Sequence, residues 1–318
     1  GKADVVIVLS HIGHAADRLL AAKVKGIDVI VGGHSHTRVE KPVRVGDTSV
    51  VQAWEHGKAL GVLDIVLKDG RVANVSARLE EIRPDKGQKD PAIGALVDKY
   101  RGKVDAVLNT PAGEAGVDLD GESVRKKETN LGDFIADILR RESKADAAII
   151  NGGTIRTGIK KGEVRVKDVY SVLPFDNYIV AVRMSGKGIV EALEHGVSGI
   201  ESGEGWFPQV SGIAFRYSPS GEKGRRIRDV TIAGHPLDPG KQYVVATHDF
   251  LAVGGDGYRS FAEAIKSSPD FSVVGGAMQG EKVVYSNSGR WLRDVVVDYL
   301  REKGKIAPAV EGRITEEP

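Results

Sequence analysis

The chain opens on two short apolar runs, residues 4–9 and 27–31, with no polar alternation inside them. Runs of this length and character read as strands buried on both faces, as in a parallel sheet. Between them, residues 15–25 carry Leu19, Leu20 and Val24 at helical spacing, and Gly26 suits the position just past a helix end. Residues 4–31 are therefore expected to form one βαβ unit. Ser10-His11-Ile12-Gly13 follows its first strand and Gly32-Gly33-His34-Ser35-His36-Thr37 its second. A parallel pair places both loops on one sheet edge, the carboxyl edge where open α/β sheets bind ligands.

Residues 43–51, 61–67 and 72–79 are strand-like. Asp69-Gly70 supplies the positive φ angles of a tight hairpin turn, so this region reads as an antiparallel meander closing a first domain. Residues 83–89 are polar and broken by Pro84 and Gly87, as at a domain boundary. Asp90 then caps a helix with Pro91 at its first position, and Ile93, Leu96, Val97, Tyr100 and Val104 form one apolar stripe along it. Farther on, Thr129 and Asn130 start a helix with Leu131, Phe134, Ile135, Ile138 and Leu139 on one face. Strands are expected at 145–150, 212–217, 227–232 and 243–247, and helices at 187–196 and 289–303. The fold class is α/β. The organisation is a first domain in residues 1–83, a linking helix in 84–107 and a second domain in 108–318.

Composition narrows the picture in three ways. Apolar residues make up 41% and charged residues 28% of the 318, as in a globular protein. The net charge of +1 gives no ground for a nucleic-acid partner, and no run is long and apolar enough to be read as a membrane span. The absence of cysteine excludes disulfides and zinc–thiolate sites. The chain starts at Gly1 without Met and enters a strand almost at once, which reads as a cut or processed start.

The chemistry-bearing residues fall into two groups. His11, His34 and His36 share the edge of one βαβ unit and are metal candidates, since imidazole suits zinc, iron, nickel or copper, and manganese where carboxylates share the site. A hydrolytic two-metal centre also needs a bridging acid. Asp4 and Asp28 begin strands at the wrong end and Asp17 lies in the helix, so the ligand set is incomplete on this chain. His14, His56, His195, His235 and His248 show no such convergence and read as ordinary histidines. The second group is Asn151-Gly152-Gly153-x-x-Arg156 with Arg125, Phe207, Phe250 and Asp256. An amide reads a base edge, glycines admit close backbone approach, and guanidinium groups bind phosphate. Phe207 and Phe250 suit either a base sandwich or core packing. Asp256 suits either ribose hydroxyls or a turn, and Arg125 either phosphate or a solvated basic run.

With these residues the chain resembles the 5′-nucleotidases, the ecto-5′-nucleotidases and the periplasmic UDP-sugar hydrolases. The matching stretches are Ser10-His11-x-Gly13, Gly32 to Thr37, Asn130-Leu131-Gly132-Asp133, Asn151 to Arg156, Phe207 to Gly212 and Gly254-Gly255-Asp256-Gly257-Tyr258, in order and spacing over essentially the whole chain. The resemblance implies the end of a calcineurin-like metallophosphoesterase domain, a linking helix and a substrate domain. It implies two divalent metal ions, zinc, manganese or similar, with His11 and His34 on one and His36 on the other. It implies a nucleotide or nucleoside partner: Arg125 and Arg156 on phosphate, Asn151 and Gly153 on the nucleoside, Phe207 and Phe250 on the base, Asp256 on the ribose. The family's opening motifs, with the bridging Asp and the catalytic His, do not occur in residues 1–318. No catalytic residue is therefore expected in this chain, and the upstream segment is expected either absent or present as a separate fragment. The implied reaction is metal-dependent hydrolysis of nucleoside 5′-monophosphates by the parent protein, in the periplasm or outside the cell. The alternatives are a nucleotide-binding module without catalysis, a 2′,3′-cyclic-nucleotide phosphodiesterase, a UDP-sugar hydrolase, or a thiosulfohydrolase, against which the nucleoside-binding residues speak.

Overall fold

The computed structural model describes residues 3–83 and 90–317. It divides into two compact units, Gly1–Asp98 and Lys99–Pro318. Of the expected boundary stretch, residues 84–89 lie outside the described residues.

The first unit contains β1 (Ile7–Leu9), α1 (His14–Lys23), β2 (Val29–Val31), β3 (Val43–Val45), β4 (Thr48–Val51), β5 (Ala59–Lys68) and β6 (Arg71–Glu81). Helix α2 (Pro91–Leu108) begins in it and crosses the division between the units. The expected βαβ unit is present: β1 and β2 pair in parallel, with Leu9 opposite Val31. Ala21, Ile27, Ile30 and Val50 form a small core beneath that sheet. The expected meander is divided. Gly46 turns the chain at φ 59°, separating β3 from β4, and β4 then pairs in parallel with β2. The sheet order is β1-β2-β4-β3, while β5 and β6 form a hairpin of their own. Burial explains the difference: Thr48, Ser49 and Val50 are all covered, as an inner strand requires, whereas β5 and β6 alternate and stay half solvated. Asp69 and Gly70 take the expected positive φ angles, 51° and 69°. Asp90 caps α2, accepting from the amides of Ala92 and Ile93 at 2.8 and 3.0 Å.

The second unit runs through β7 (Pro111–Ala115), α3 (Asn130–Ser143), β8 (Ala147–Asn151), β9 (Gly162–Arg165), α4 (Val166–Val172), β10 (Tyr178–Ser185), α5 (Gly186–Val197), β11 (Pro208–Ser211), β12 (Ile213–Tyr217), β13 (Ile227–Ile232), β14 (His235–Pro236), β15 (Gln242–His248), α6 (Asp249–Ala252), α7 (Arg259–Lys266), β16 (Ser272–Val274), β17 (Ala277–Gln279), β18 (Val283–Trp291), α8 (Leu292–Lys303), β19 (Lys305–Ile306) and β20 (Ile314–Glu316). Its centre is a five-stranded sheet in the order β11-β8-β15-β10-β18. Successive side chains of a strand face opposite ways. Accordingly Ala148 and Ile150 join one core cluster with Leu131, Ile135 and Leu139 of α3 and Val296 of α8. Ala147 and Ile149 join the other, with Ile189 and Leu193 of α5 and Phe261 of α7. The sheet is thus covered on both faces. The expected helix at 289–303 starts only at Leu292, because residues 283–291 extend along β10 with Trp291 opposite Tyr178.

Two buried polar residues hold the start of α3. Thr129 accepts the amide of Gly132 at 3.0 Å. Asp133 is buried beside Glu128, and Arg313 lies 3.8 Å from its carboxyl. Glu128 accepts the amides of Glu311, Gly312 and Ile314 at 2.8–2.9 Å. Burial works against its charge, but the adjacent Asp133 and these amides hold its pKa below the usual value. Burial and the neighbouring Glu128 push Asp133 up to about 8. A carboxyl raised in the folded state stabilises fully below its unfolded pKa of 3.8 and loses that contribution as pH rises through about 8. Denaturation of the unaltered chain is therefore expected to show stability falling across this window. Asp133→Asn, which keeps the shape and cannot ionise, is expected to flatten that fall; an unchanged slope refutes the assignment.

Candidate functional site

The histidine loops leave the carboxyl ends of β1 and β2. The rings of His11 and His34 meet edge to face, with centroids 5.3 Å apart. Gly32 and Gly33 are required by close approach. A Cβ at Gly32 would lie 2.3 Å from an Asp17 carboxyl oxygen, and one at Gly33 would lie 2.9 Å from Nδ1 of His11. Asp17 is fully buried and accepts from Ser10 Oγ at 2.5 Å, so it braces the loops from beneath. His34 and His36 both adopt positive φ, 70° and 54°, uncommon for residues with a side chain. Buried Gln52, just past β4, holds that conformation. In the amide orientation that satisfies both its ends, its oxygen accepts from the backbone of His36 and Thr37 at 3.0 and 2.9 Å.

His36 is not aimed at the His11–His34 pair alone. Its Nδ1 lies 3.0 Å from Glu55 Oε2, and its ring meets that of His56 at 5.1 Å. Among the described residues, His36, Glu55 and His56 are the single cluster of three possible metal ligands within 4.8 Å of one another. Lys58 binds the other oxygen of Glu55 at 2.5 Å, and this contact, more than the histidines, holds the Glu55 pKa low. A histidine whose Nδ1 is engaged by a carboxylate presents Nε2 as its ligand atom, a common arrangement around bound zinc. The donors present, imidazoles with a carboxylate behind one of them, fit a divalent transition metal.

In the second unit, β15 lies between β8, parallel to it, and β10, antiparallel to it. The end of β8 at Asn151, the end of β15 at His248 and the start of β10 at Tyr178 therefore share one sheet edge. Asn151 is buried and donates through Nδ2 to Asp256 Oδ2 at 2.6 Å. Asp256 sits at φ 50° between two glycines, and its carbonyl accepts from Nε2 of His195 at 2.7 Å. Gly153 packs against Gly205, where a Cβ would meet the Gly205 carbonyl at 2.9 Å. Arg156 donates to the Gly153 carbonyl at 3.1 Å. Arg125 is placed by buried Gln209, whose Nε2 donates to the carbonyls of Val124 and Lys127 at 3.0 and 2.8 Å. Burial and then the nearby Arg156 charge lower the Arg125 pKa, against the pull of Asp256 and Glu204. No ion pair joins Arg125 or Arg156 to a carboxylate among the described residues. The two guanidinium groups are thus close enough for the charge of Arg156 to act on Arg125.

The structure corrects one assignment. Phe207 is 1% exposed and lies in the core with Tyr217 and Val210. It cannot stack on a base, because the chain entering β11 turns that side chain into the core. The exposed phenylalanines at this edge are Phe250, 44% exposed, and Phe175, 47% exposed. Arg156 lies 5.9 Å above the Phe175 ring. The two loops are tied together, Asn177 donating to Asp249 at 2.8 Å. Arg293 fixes the Phe175 loop by donating to the carbonyls of Pro174 and Phe175 at 3.2 and 2.9 Å. Phe175 was legible by the criterion that selected Phe250: it follows Pro174, precedes Asp176-Asn177 and stands outside any periodic run. His56, His195 and His248, read as ordinary from the sequence, each touch a site loop.

Residues 106–263 match the family described as 5′-nucleotidase, C-terminal domain. The chain is 37% identical over 332 residues to the trifunctional nucleotide phosphoesterase protein YfkN of Bacillus subtilis, covering 99% of this chain and 22% of that protein. It is 31% identical to a snake venom 5′-nucleotidase of Macrovipera lebetinus, covering 98% of this chain and 82% of that protein. Among solved structures, a 5′-nucleotidase precursor of Thermus thermophilus superimposes with a TM-score of 0.72 at 33% identity, over 99% of this chain and 64% of that one. The chain thus spans about a fifth of the Bacillus protein and just under two thirds of the Thermus structure. Its α/β architecture is that of the calcineurin-like and C-terminal domains of these proteins. Similarity running across nearly the whole chain places it in the 5′-nucleotidase family.

Proposed function

We propose that the protein to which this chain belongs hydrolyses nucleotide phosphate esters in a metal-dependent reaction, converting a nucleoside 5′-monophosphate to nucleoside and phosphate. The observation that carries the reading is the pairing of Arg125 and Arg156 without an acid, beside the Asn151–Asp256 hydrogen bond and two exposed phenylalanine rings. Arg125 and Arg156 bind the phosphate oxygens. Phe175 and Phe250 contact the base. Asp256, with one oxygen taken by Asn151, offers the other to a ribose hydroxyl, and Gly153 lets the nucleoside approach the backbone. His11 and His34 would hold one metal and His36, through Nε2, the other. When bound, such metals activate a water and neutralise charge on the phosphoryl group. The name of the snake venom relative suits a location outside the cytoplasm, and no helix among the described residues is long and apolar enough to cross a membrane.

The alternative for the chain by itself is nucleotide binding without turnover, which calorimetry with AMP alongside a phosphate-release assay distinguishes from hydrolysis. Phosphate release by the full-length parent, assayed with zinc or manganese on a 5′-monophosphate, a 2′,3′-cyclic nucleotide and a UDP-sugar, tests the reaction. The 5′-monophosphate is expected to be the best substrate, and no release from any of them sinks the proposal.

Three sets of variants probe the roles. Arg125→Ala and Arg156→Ala are each expected to weaken AMP binding by about tenfold in calorimetry while leaving adenosine binding intact. Phe175→Ala and Phe250→Ala are each expected to cost about 1–3 kcal/mol of affinity for both ligands without loss of stability. Phe207→Ala is instead expected to destabilise the fold by about 3–5 kcal/mol. In the first unit, Glu55→Gln is expected to weaken zinc or manganese binding by about 10- to 100-fold in a direct metal titration. Unchanged metal affinity would remove Glu55 from the site.

A further inference from the structure

His248 closes β15 and is fully buried, and the hydrogen-bond and ring partners of its side chain among the described residues are Asn151, Thr154 and Phe250, on the nucleoside side of the site. Its Nε2 lies 2.9 Å from Asn151 Oδ1 and 3.1 Å from Thr154 Oγ1. Thr154 donates to the same Asn151 oxygen at 2.6 Å. Its ring lies parallel to Phe250, with centroids 6.2 Å apart and 6° between the planes, an offset stack. Its Nδ1 is buried with no hydrogen-bond partner among the described residues.

The protonation pattern follows from donor and acceptor rules. Asp256 is an acceptor, so the Asn151 group facing it at 2.6 Å is the NH2, and the amide oxygen faces His248. An amide oxygen only accepts, so Nε2 of His248 carries the proton. Nδ1 is then a bare lone pair in a buried place, where no donor meets it. A leucine there would avoid that unpaired atom, so the imidazole is not explained by packing. Burial drives its pKa down to about 3, and the ring is neutral at ordinary pH.

We propose that His248 is a positioning residue for nucleoside recognition: its Nε2–H fixes the Asn151 amide toward Asp256 while its face backs the Phe250 ring. One side chain thereby couples the ribose-facing carboxylate to the base-facing ring. If the Asn151 amide rotated, its oxygen would face the Asp256 carboxylate and the two would repel. His248 and Thr154 together forbid that rotation. The inference rests on the nucleoside reading of the second unit.

The test titrates the whole chain with adenosine and, separately, with inorganic phosphate. His248→Leu keeps an apolar volume without a donor; His248→Gln restores an NH donor. The Leu variant is expected to lose about tenfold in adenosine affinity with phosphate affinity unchanged, and the Gln variant to recover most of the loss. Equal adenosine affinity in a folded Leu variant overturns the inference alone. An unaltered chain that does not bind adenosine overturns the nucleoside reading and the inference with it. If the Leu variant fails to fold, NMR of the unaltered chain decides. The imidazole is expected as the Nε2–H tautomer, with a proton resonance that shifts on adding adenosine and not phosphate. The Nδ1–H tautomer, or a resonance indifferent to adenosine, overturns the inference.

Discussion

Strand β15 is hydrogen-bonded in parallel to β8 on one side and antiparallel to β10 on the other, and this arrangement decides which loops can meet. A parallel neighbour contributes its carboxyl end to the shared edge, and an antiparallel neighbour contributes its amino end. Asn151 at the end of β8, Phe250 after β15 and Phe175 before β10 are brought together on that ground, although they span about a hundred residues of sequence. The interior of the sheet has no freedom to move them: Ala147, Ile149, Val180 and Val245 pack one face, and Ala148, Ile150, Ala181 and Ala246 the other. The loops are then joined by specific bonds, Asn177 to Asp249 and Asn151 to Asp256. The two exposed rings, Phe175 and Phe250, stand beside these bonded loops.

The charge arrangement complements that geometry. Most arginines of the chain face carboxylates, as Arg313 faces Asp137 and Arg226 faces Glu201. Arg125 and Arg156 have no such partner among the described residues, and burial, then the nearby Arg156 charge, lowers the Arg125 pKa. Under the proposed reading, a phosphate would supply the anion that Arg125 lacks. In the first unit, His34 and His36 hold positive φ angles in a loop braced by Gln52, Asp17 braces the loop that follows β1, and these histidines lie outside the small apolar core.

Much of this was legible in the sequence. Local rules found the βαβ unit, the Asp69-Gly70 turn, the Thr129 and Asp90 caps and the loops bearing His11, His34, Asn151 and Asp256, because each depends on neighbours in the chain. What escaped depends on distant partners. β4 looks like the start of a meander until β2 is placed beside it. Residues 283–291 look like the approach to a helix until β10 pairs with them. Phe207 and Phe175 occupy equally loop-like stretches, and only the packing of β11 sends one inward while Arg293 holds the other out. His248 reads as an unremarked strand end because its partners, Asn151 and Thr154, lie nearly a hundred residues away.

The central claim is that the carboxyl edge of the five-stranded sheet binds a nucleotide. Titrating the isotopically labelled chain with AMP and following its backbone amide resonances tests this most directly. Shifts are expected to concentrate at residues 151–156, 175–177 and 249–257, the loops brought to one edge by β8, β10 and β15. Saturable shifts located elsewhere, with these loops unmoved, would contradict it.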